Sequence, residues 1–121
     1  MDAVGHVNNA AYFTYCESAR IAYFDRLGVG AFATAPSGPA LVHAALDFRR
    51  QVRYPAVLDI GARVVEVRTR SFRMDYAIFY EATDSVVADG TSVVVWTDYA
   101  AGRAIGIPDA VRAAIETLER R

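Results

Sequence analysis

The 121-residue chain holds a single cysteine, Cys16, so it cannot close a disulfide within itself, which favours a reducing compartment. Its two histidines stand far apart, and with one thiol they form no recognisable metal-ligand set. No glycine-rich phosphate loop follows a strand, so no nucleotide cofactor is indicated and no cofactor is expected. No apolar run approaches the roughly 18–20 residues of a membrane span, and no signal-peptide pattern opens the chain. Charge is nearly balanced, at net -1 with a pI of about 6.1, which argues against a nucleic-acid partner. Internal repeats, low-complexity tracts and inter-domain linkers are also missing. These absences leave one cytoplasmic domain over residues 1–121, with no membrane and no nucleic acid to bind. Its 54% hydrophobic content is enough to build a core.

Periodicity orders what is present. From Asn9 to about Leu27, Tyr12, Tyr15, Ala19, Ala22, Tyr23 and Leu27 follow steps of three and four on one helical stripe. Phe13, Cys16, Ile21 and Phe24 widen that stripe, so the helix is expected to be buried on most sides. Gly28 and Gly30 end it. A loop of small residues follows, with Pro36, Gly38 and Pro39 as its breakers. Ala40 to Tyr99 then reads as strands: LVHAALDFRRQVRY, VLDIGARVVEVRTRS, FRMDYAIFYEAT and VVADGTSVVVWTDY. The second and third join near Ser71, and the third turns at Asp84-Ser85. Asp89-Gly90 reads either as a hairpin turn or as a bulge within one long strand. IPDAVRAAIETLERR closes as an amphipathic helix, with Pro108 in its first turn and Val111, Ile115 and Leu118 on one face. One apolar helix, about four long strands and one amphipathic helix make an α+β domain.

The first nine residues put an aspartate, a glycine, a histidine and two asparagines ahead of the first helix. A helix entrance so loaded with polar groups is a candidate reaction site. The string DAVGHVNNAAYFTYCESAR resembles the opening of hotdog-fold acyl-CoA thioesterases, in the group related to 4-hydroxybenzoyl-CoA thioesterase. The matching positions are Asp2, Gly5, His6, Val7, Asn8, Asn9, Tyr12, Glu17, Ala19 and Arg20. The likeness continues through LDFRRQVRYP, RTRSF and GRAIGIPDAV, and so spans nearly the whole chain. It implies a hotdog fold, an antiparallel sheet curled around one long central helix, with a C-terminal helix beside it. It also implies hydrolysis of a small aryl or a short to medium acyl-CoA.

Thioester hydrolysis needs a carboxylate that attacks the carbonyl or deprotonates water, and donors aimed at the developing oxyanion. Asp2 stands seven residues before Asn9, so a loop can fold it back over the helix N-terminus, where free N–H groups and the positive dipole end point outward. By the resemblance, Asp2 is the nucleophile or general base and the backbone N–H near Asn9 polarises the carbonyl. His6 then supports the reacting centre, while Gly5, Val7, Asn8 and Tyr12 contact substrate, Tyr12 as wall. Asn8 or Asn9 also serves as N-cap. Glu17 and Arg20 read as an i,i+3 ion pair, and Cys16 as a buried structural thiol. Arg68, Arg70 and Arg73, interleaved with Thr69 and Ser71, either grip phosphates or guard a solvated strand edge. The family places basic residues and a serine at the matching junction for the nucleotide, which assigns Arg68, Arg70 and Ser71 to substrate.

Family members carry a further strand before this motif, ending in an acidic residue, one intervening residue and the aspartate. Met1 occupies the intervening position: either this member manages with fewer strands or, the favoured reading, the start is an internal methionine and an upstream strand of roughly five to ten residues is expected in the coding sequence. A non-catalytic acyl-thioester-binding subunit is the alternative to an enzyme, and an enoyl-thioester hydratase is a third reading. The strands VVADGTSVVVWTDY and FRMDYAIFYEAT carry more apolar surface than one helix can cover, so a homodimer or dimer of dimers is expected. In hotdog proteins of this kind two subunits share each site, which would pair the arginines near Arg70 with Asp2 of the other chain.

Overall fold

The computed structural model describes residues 9–28, 35–53 and 56–120. Helix α1 spans Asn9–Arg26, strand β1 Ser37–Phe48, β2 Leu58–Val67, β3 Ser71–Tyr80 and β4 Val86–Asp98. A two-residue β5, Arg103–Ala104, and helix α2, Asp109–Glu119, complete the chain. The strands form one antiparallel sheet in the order β1-β4-β3-β2, with β5 on β4. This is the expected α+β hotdog arrangement, a curved sheet with α1 along one face and α2 beside it.

Two-residue alternation fixes which face is inner. Phe72, Met74, Tyr76 and Ile78 of β3 are buried, and Ser92, Val94 and Trp96 of β4 join them. Against this face α1 lays Tyr12, Cys16, Tyr23, Phe24 and, just past its end, Leu27. Phe24 meets Phe72 edge-on with ring centres 6.2 Å apart. Gly28, at φ +70°, takes the left-handed conformation that stops the helix. Register shifts between Leu41 and His43, Val64 and Glu66, and Ile78 and Phe79 mark bulges that sharpen the twist.

α2 is held at both ends. The Pro108 carbonyl accepts the Val111 and Arg112 N–H groups at its start, while Val111 and Ile115 are buried. Near its end the Glu119 carboxylate accepts the Tyr23 hydroxyl and the Val64 N–H, joining α2 to α1 and to β2. Burial, then the Glu119 hydrogen bond and charge, push the Tyr23 hydroxyl well above the usual phenol range.

Four expectations need correction. Gly38 and Pro39 lie inside β1 rather than in a loop, because β1 is an edge strand where a missing N–H is tolerated. Asp89-Gly90 is neither turn nor bulge but mid-strand, with Asp89 opposite Asp47 and Gly90 opposite Leu46. Helix α1 is covered on one side only: Phe13 is 41% and Ile21 53% exposed. The apolar surplus belongs to β1 rather than to β4 and β3, which are interior strands. All five residues from Leu41 to Ala45 are exposed, and Leu41 and Val42 are 47% and 60% exposed.

Gly90 has a steric reason. A Cβ there would stand 2.0 Å from the Ala45 carbonyl oxygen and 2.8 Å from a Leu46 methyl carbon. Only a bare backbone lets β1 come this close to β4. Gly90→Ala is therefore expected to destabilise the fold by about 3 kcal/mol, the upper range for forcing extra carbon into a packed site, as measured by chemical denaturation. An unchanged midpoint would contradict the close approach.

Candidate functional site

Helix α1 begins at Asn9. No acidic residue occupies its first turn, and Asn9, its first residue, is exposed. One turn on, Tyr12 is buried and packs on Phe48 with centres 5.5 Å apart. Tyr15 stands edge-on to Tyr12 at 6.0 Å, and Phe13 edge-on to Phe48 at 6.4 Å. An aromatic collar thus surrounds the end where the positive end of the helix dipole emerges. Asp2, Gly5, His6, Val7 and Asn8 lie outside the described residues, so of the matching positions the structure places Asn9, Tyr12, Glu17, Ala19 and Arg20, all on α1.

Beyond the collar, α1 and β1 enclose a pocket of about 150 Å³. Phe13, Leu41, Ala44 and Leu46 form its apolar walls, and Cys16, Glu17 and Arg20 line it from the helix. Arg20 does not pair with Glu17 as its spacing suggested. Its Nη1 instead donates to the Tyr76 hydroxyl at 3.0 Å, and that oxygen lies 2.6 Å from the Ser92 hydroxyl. Ser92 is fully buried and needs that partner. The helix spacing was visible in sequence, but the competing phenol stands 56 positions away.

The second group of expected residues is the β2–β3 turn. The Arg68 N–H donates to the Ser71 carbonyl at 2.7 Å and closes the hairpin. Glu66 pairs with Arg68 and stands 3.9 Å from Arg73, which also lies 3.8 Å from Asp75. The Arg68 hydrogen bond and charge hold the Glu66 carboxyl below its usual range. Arg70 is exposed, and no carboxylate among the described residues lies within 4.0 Å of it. Ser71, Arg68 and Arg73 line a surface pocket of about 260 Å³ here. Arg112, which the sequence reading missed, donates to the Arg68 and Thr69 carbonyls at 2.8 and 3.2 Å.

The two groups sit at opposite ends of α1. Phe72, beside Ser71, packs on Phe24, fifteen residues along the helix from Asn9. At 1.5 Å per residue that places the arginine turn roughly 20 Å from the open end.

A family model described as Thioesterase-like superfamily matches residues 1–115. A thioesterase from Thermus thermophilus, solved with coenzyme A and zinc, is 30% identical, with a TM-score of 0.87 over 100% of this chain and 86% of that one. The PA5185 protein of Pseudomonas aeruginosa is 27% identical, also with a TM-score of 0.87, over 97% of this chain and 82% of that one. Among curated proteins, an Arabidopsis thaliana chloroplastic acyl-acyl carrier protein thioesterase, ATL3, is 27% identical over 93% of this chain. The chain spans 60% of that relative's length. Among the described residues no cluster of three metal-ligating side chains occurs, and no helix is long and apolar enough to cross a membrane.

Cys16 tests whether the pocket holds a nucleophilic thiol. It is buried, and burial pushes its thiol above the ordinary range while Arg20 draws it partly back. Because the thiolate is the reactive form, alkylation of the folded protein should stay slow up to and beyond pH 9.0, and become fast on unfolding. Rapid labelling of the native protein at neutral pH would show an activated cysteine instead.

Proposed function

This chain belongs to the thioesterase-like superfamily, and from that premise we propose that it hydrolyses the thioester of a small aryl or short to medium acyl-CoA. The observation that carries the reading is the aromatic collar of Tyr12, Phe13, Tyr15 and Phe48 at the N-terminus of α1, the helix into which the family motif runs. A thioester oxygen seated at the helix start near Asn9 is polarised there, and the dipole favours the negative charge that develops. In this proposal Asp2 attacks the carbonyl or deprotonates a water, and His6 orients that water or the substrate. Gly5, Val7 and Asn8 bring the loop over the acyl group, and Tyr12 forms its wall. The Thermus thermophilus relative, solved with coenzyme A, supports coenzyme A as the carrier. Arg68, Arg70 and Ser71 then take its phosphates, because guanidinium matches phosphate geometry. The catalytic unit is proposed to be a homodimer or a dimer of dimers, and a cytoplasmic location goes with it.

The exposed β1 supports the assembly. Among the described residues β1 lies at the sheet edge, and its residues 41–45 are all exposed, a surface that a second copy can cover. The roughly 20 Å between the arginine turn and the start of α1 favours a site shared between subunits, one giving Asp2 and the other Arg70.

Release of free thiol from a panel of acyl-CoAs tests the chemistry. Asp2→Asn should lower kcat by about 10²–10⁴-fold, the usual worth of a positioned acid or base. Full activity in that variant removes Asp2 from the mechanism, and tight binding without turnover by the wild type points to a binding subunit.

Sharing is tested by exchanging subunits between Asp2→Ala and Arg70→Ala. Mixed dimers should recover about one working site each if the two residues act across the interface. A fully active monomer at micromolar concentration in the ultracentrifuge would end the idea.

A further inference from the structure

All thirteen basic residues of the chain are arginines, yet Arg112 uses its guanidinium unlike its neighbours. Arg68 and Arg73 face carboxylates and Arg70 faces water. Arg112 Nη2 instead donates to two main-chain oxygens of the β2–β3 turn, Arg68 O at 2.8 Å and Thr69 O at 3.2 Å. Arg112 stands fourth in α2, in the first turn, where a positive charge opposes the helix dipole. Carbonyl oxygens from another element offset that.

The rest of the turn is tied inward too. Thr69 O also accepts the Ile107 N–H at 2.9 Å, and Arg70 O accepts the Trp96 N–H at 2.8 Å. Three successive carbonyls are therefore committed to α2, its lead-in and β4. Their lone pairs are engaged and do not confront an anion. The side chains of Arg68 and Arg70 then project from a backbone that cannot reorient freely, and binding groups held in place lose less entropy on contact.

We infer that Arg112 is a positioning residue for anion binding at this turn, holding Arg68 and Arg70 in the arrangement that takes the phosphates of a coenzyme A thioester. The inference rests on the proposed reading of the turn as the phosphate site. Both hydrogen bonds come from the single Nη2 nitrogen, so an ammonium brought to this point retains part of the contact.

Equilibrium binding of coenzyme A and of pantetheine, which lacks the nucleotide phosphates, tests this without turnover. In Arg112→Ala the Kd for coenzyme A should rise about tenfold while that for pantetheine holds, and added salt should weaken binding less steeply than in the wild type. Arg112→Lys should recover part of the loss. A rise shared equally by both ligands marks a general loss of structure and overturns the inference. So does an unchanged coenzyme A Kd in Arg112→Ala alongside a weakened Arg70→Ala. If Arg70→Ala binds coenzyme A as well as the wild type, the assignment of phosphates to this turn falls, and the inference falls with it.

Discussion

A helix with apolar side chains on two sides needs two covers, and a single sheet supplies one. Residues such as Tyr12, Cys16, Tyr23 and Phe24 of α1 satisfy that need against β3 and β4, while Phe13 and Ile21 on the other side are left exposed. Much of the functional geometry depends on this asymmetry. The uncovered flank of α1 faces the bulged and exposed β1, and the pocket lies between them. Ala44 and Ala45, small where larger residues would fill the gap, leave it open. The aromatic collar forms where this pocket meets the start of the helix. A second copy that covered β1 would therefore also close the region through which an acyl group has to enter.

The elements governed by local periodicity were legible from the residues alone. Steps of three and four gave α1 to within a residue of its observed end at Arg26, and the apolar stretches FRMDYAIFYEAT and VVADGTSVVVWTDY gave β3 and β4. What was not legible depends on partners distant in sequence. Gly90 looked like half of a turn because Asp-Gly is a turn dipeptide. Its real role depends on the Ala45 carbonyl, supplied by another strand. Pro39 looked like a breaker because nothing local reveals that its strand lies at an edge. Arg112 was passed over for the same reason, since an arginine on an amphipathic helix normally faces water. The motif was recognisable as a pattern, but the structure describes only its helical half, from Asn9 to Arg20.

Arg20 shows how the core selects between two polar partners. Pairing with Glu17 at the helix surface would contribute about 0.2–0.5 kcal/mol, as such i,i+3 pairs do. Reaching the Tyr76 hydroxyl completes a chain to Ser92, which is fully buried. A hydrogen bond to a charged group contributes about 1.5–3 kcal/mol, so the part-buried inner partner outweighs the outer one. The choice fixes the rotation of α1 about its axis, because Arg20 can reach Tyr76 from one face only. That rotation in turn directs Tyr12 toward Phe48 and leaves the Glu17 carboxylate on the pocket side of the helix.

The distance along α1 divides labour within the proposed reaction. At physiological ionic strength charges are screened over about 8 Å, so an arginine roughly 20 Å from a carbonyl contributes little to an oxyanion forming on it. Within one subunit the arginine turn can therefore supply binding but not transition-state charge. The stabilising field at the reacting carbon must come from the first turn of α1, whose N–H groups act within their own reach and whose dipole fades beyond one turn. Phosphate contacts made far from the chemistry lower KM directly, and they raise kcat only if they fix the thioester against those N–H groups. Rigid anchoring at both ends serves that purpose. The turn is tied through its carbonyls to α2 and β4, and the helix is tied through Arg20 to the floor of the sheet. In the proposed shared site the pantetheine arm is the flexible member, running between the turn of one subunit and the helix start of the other.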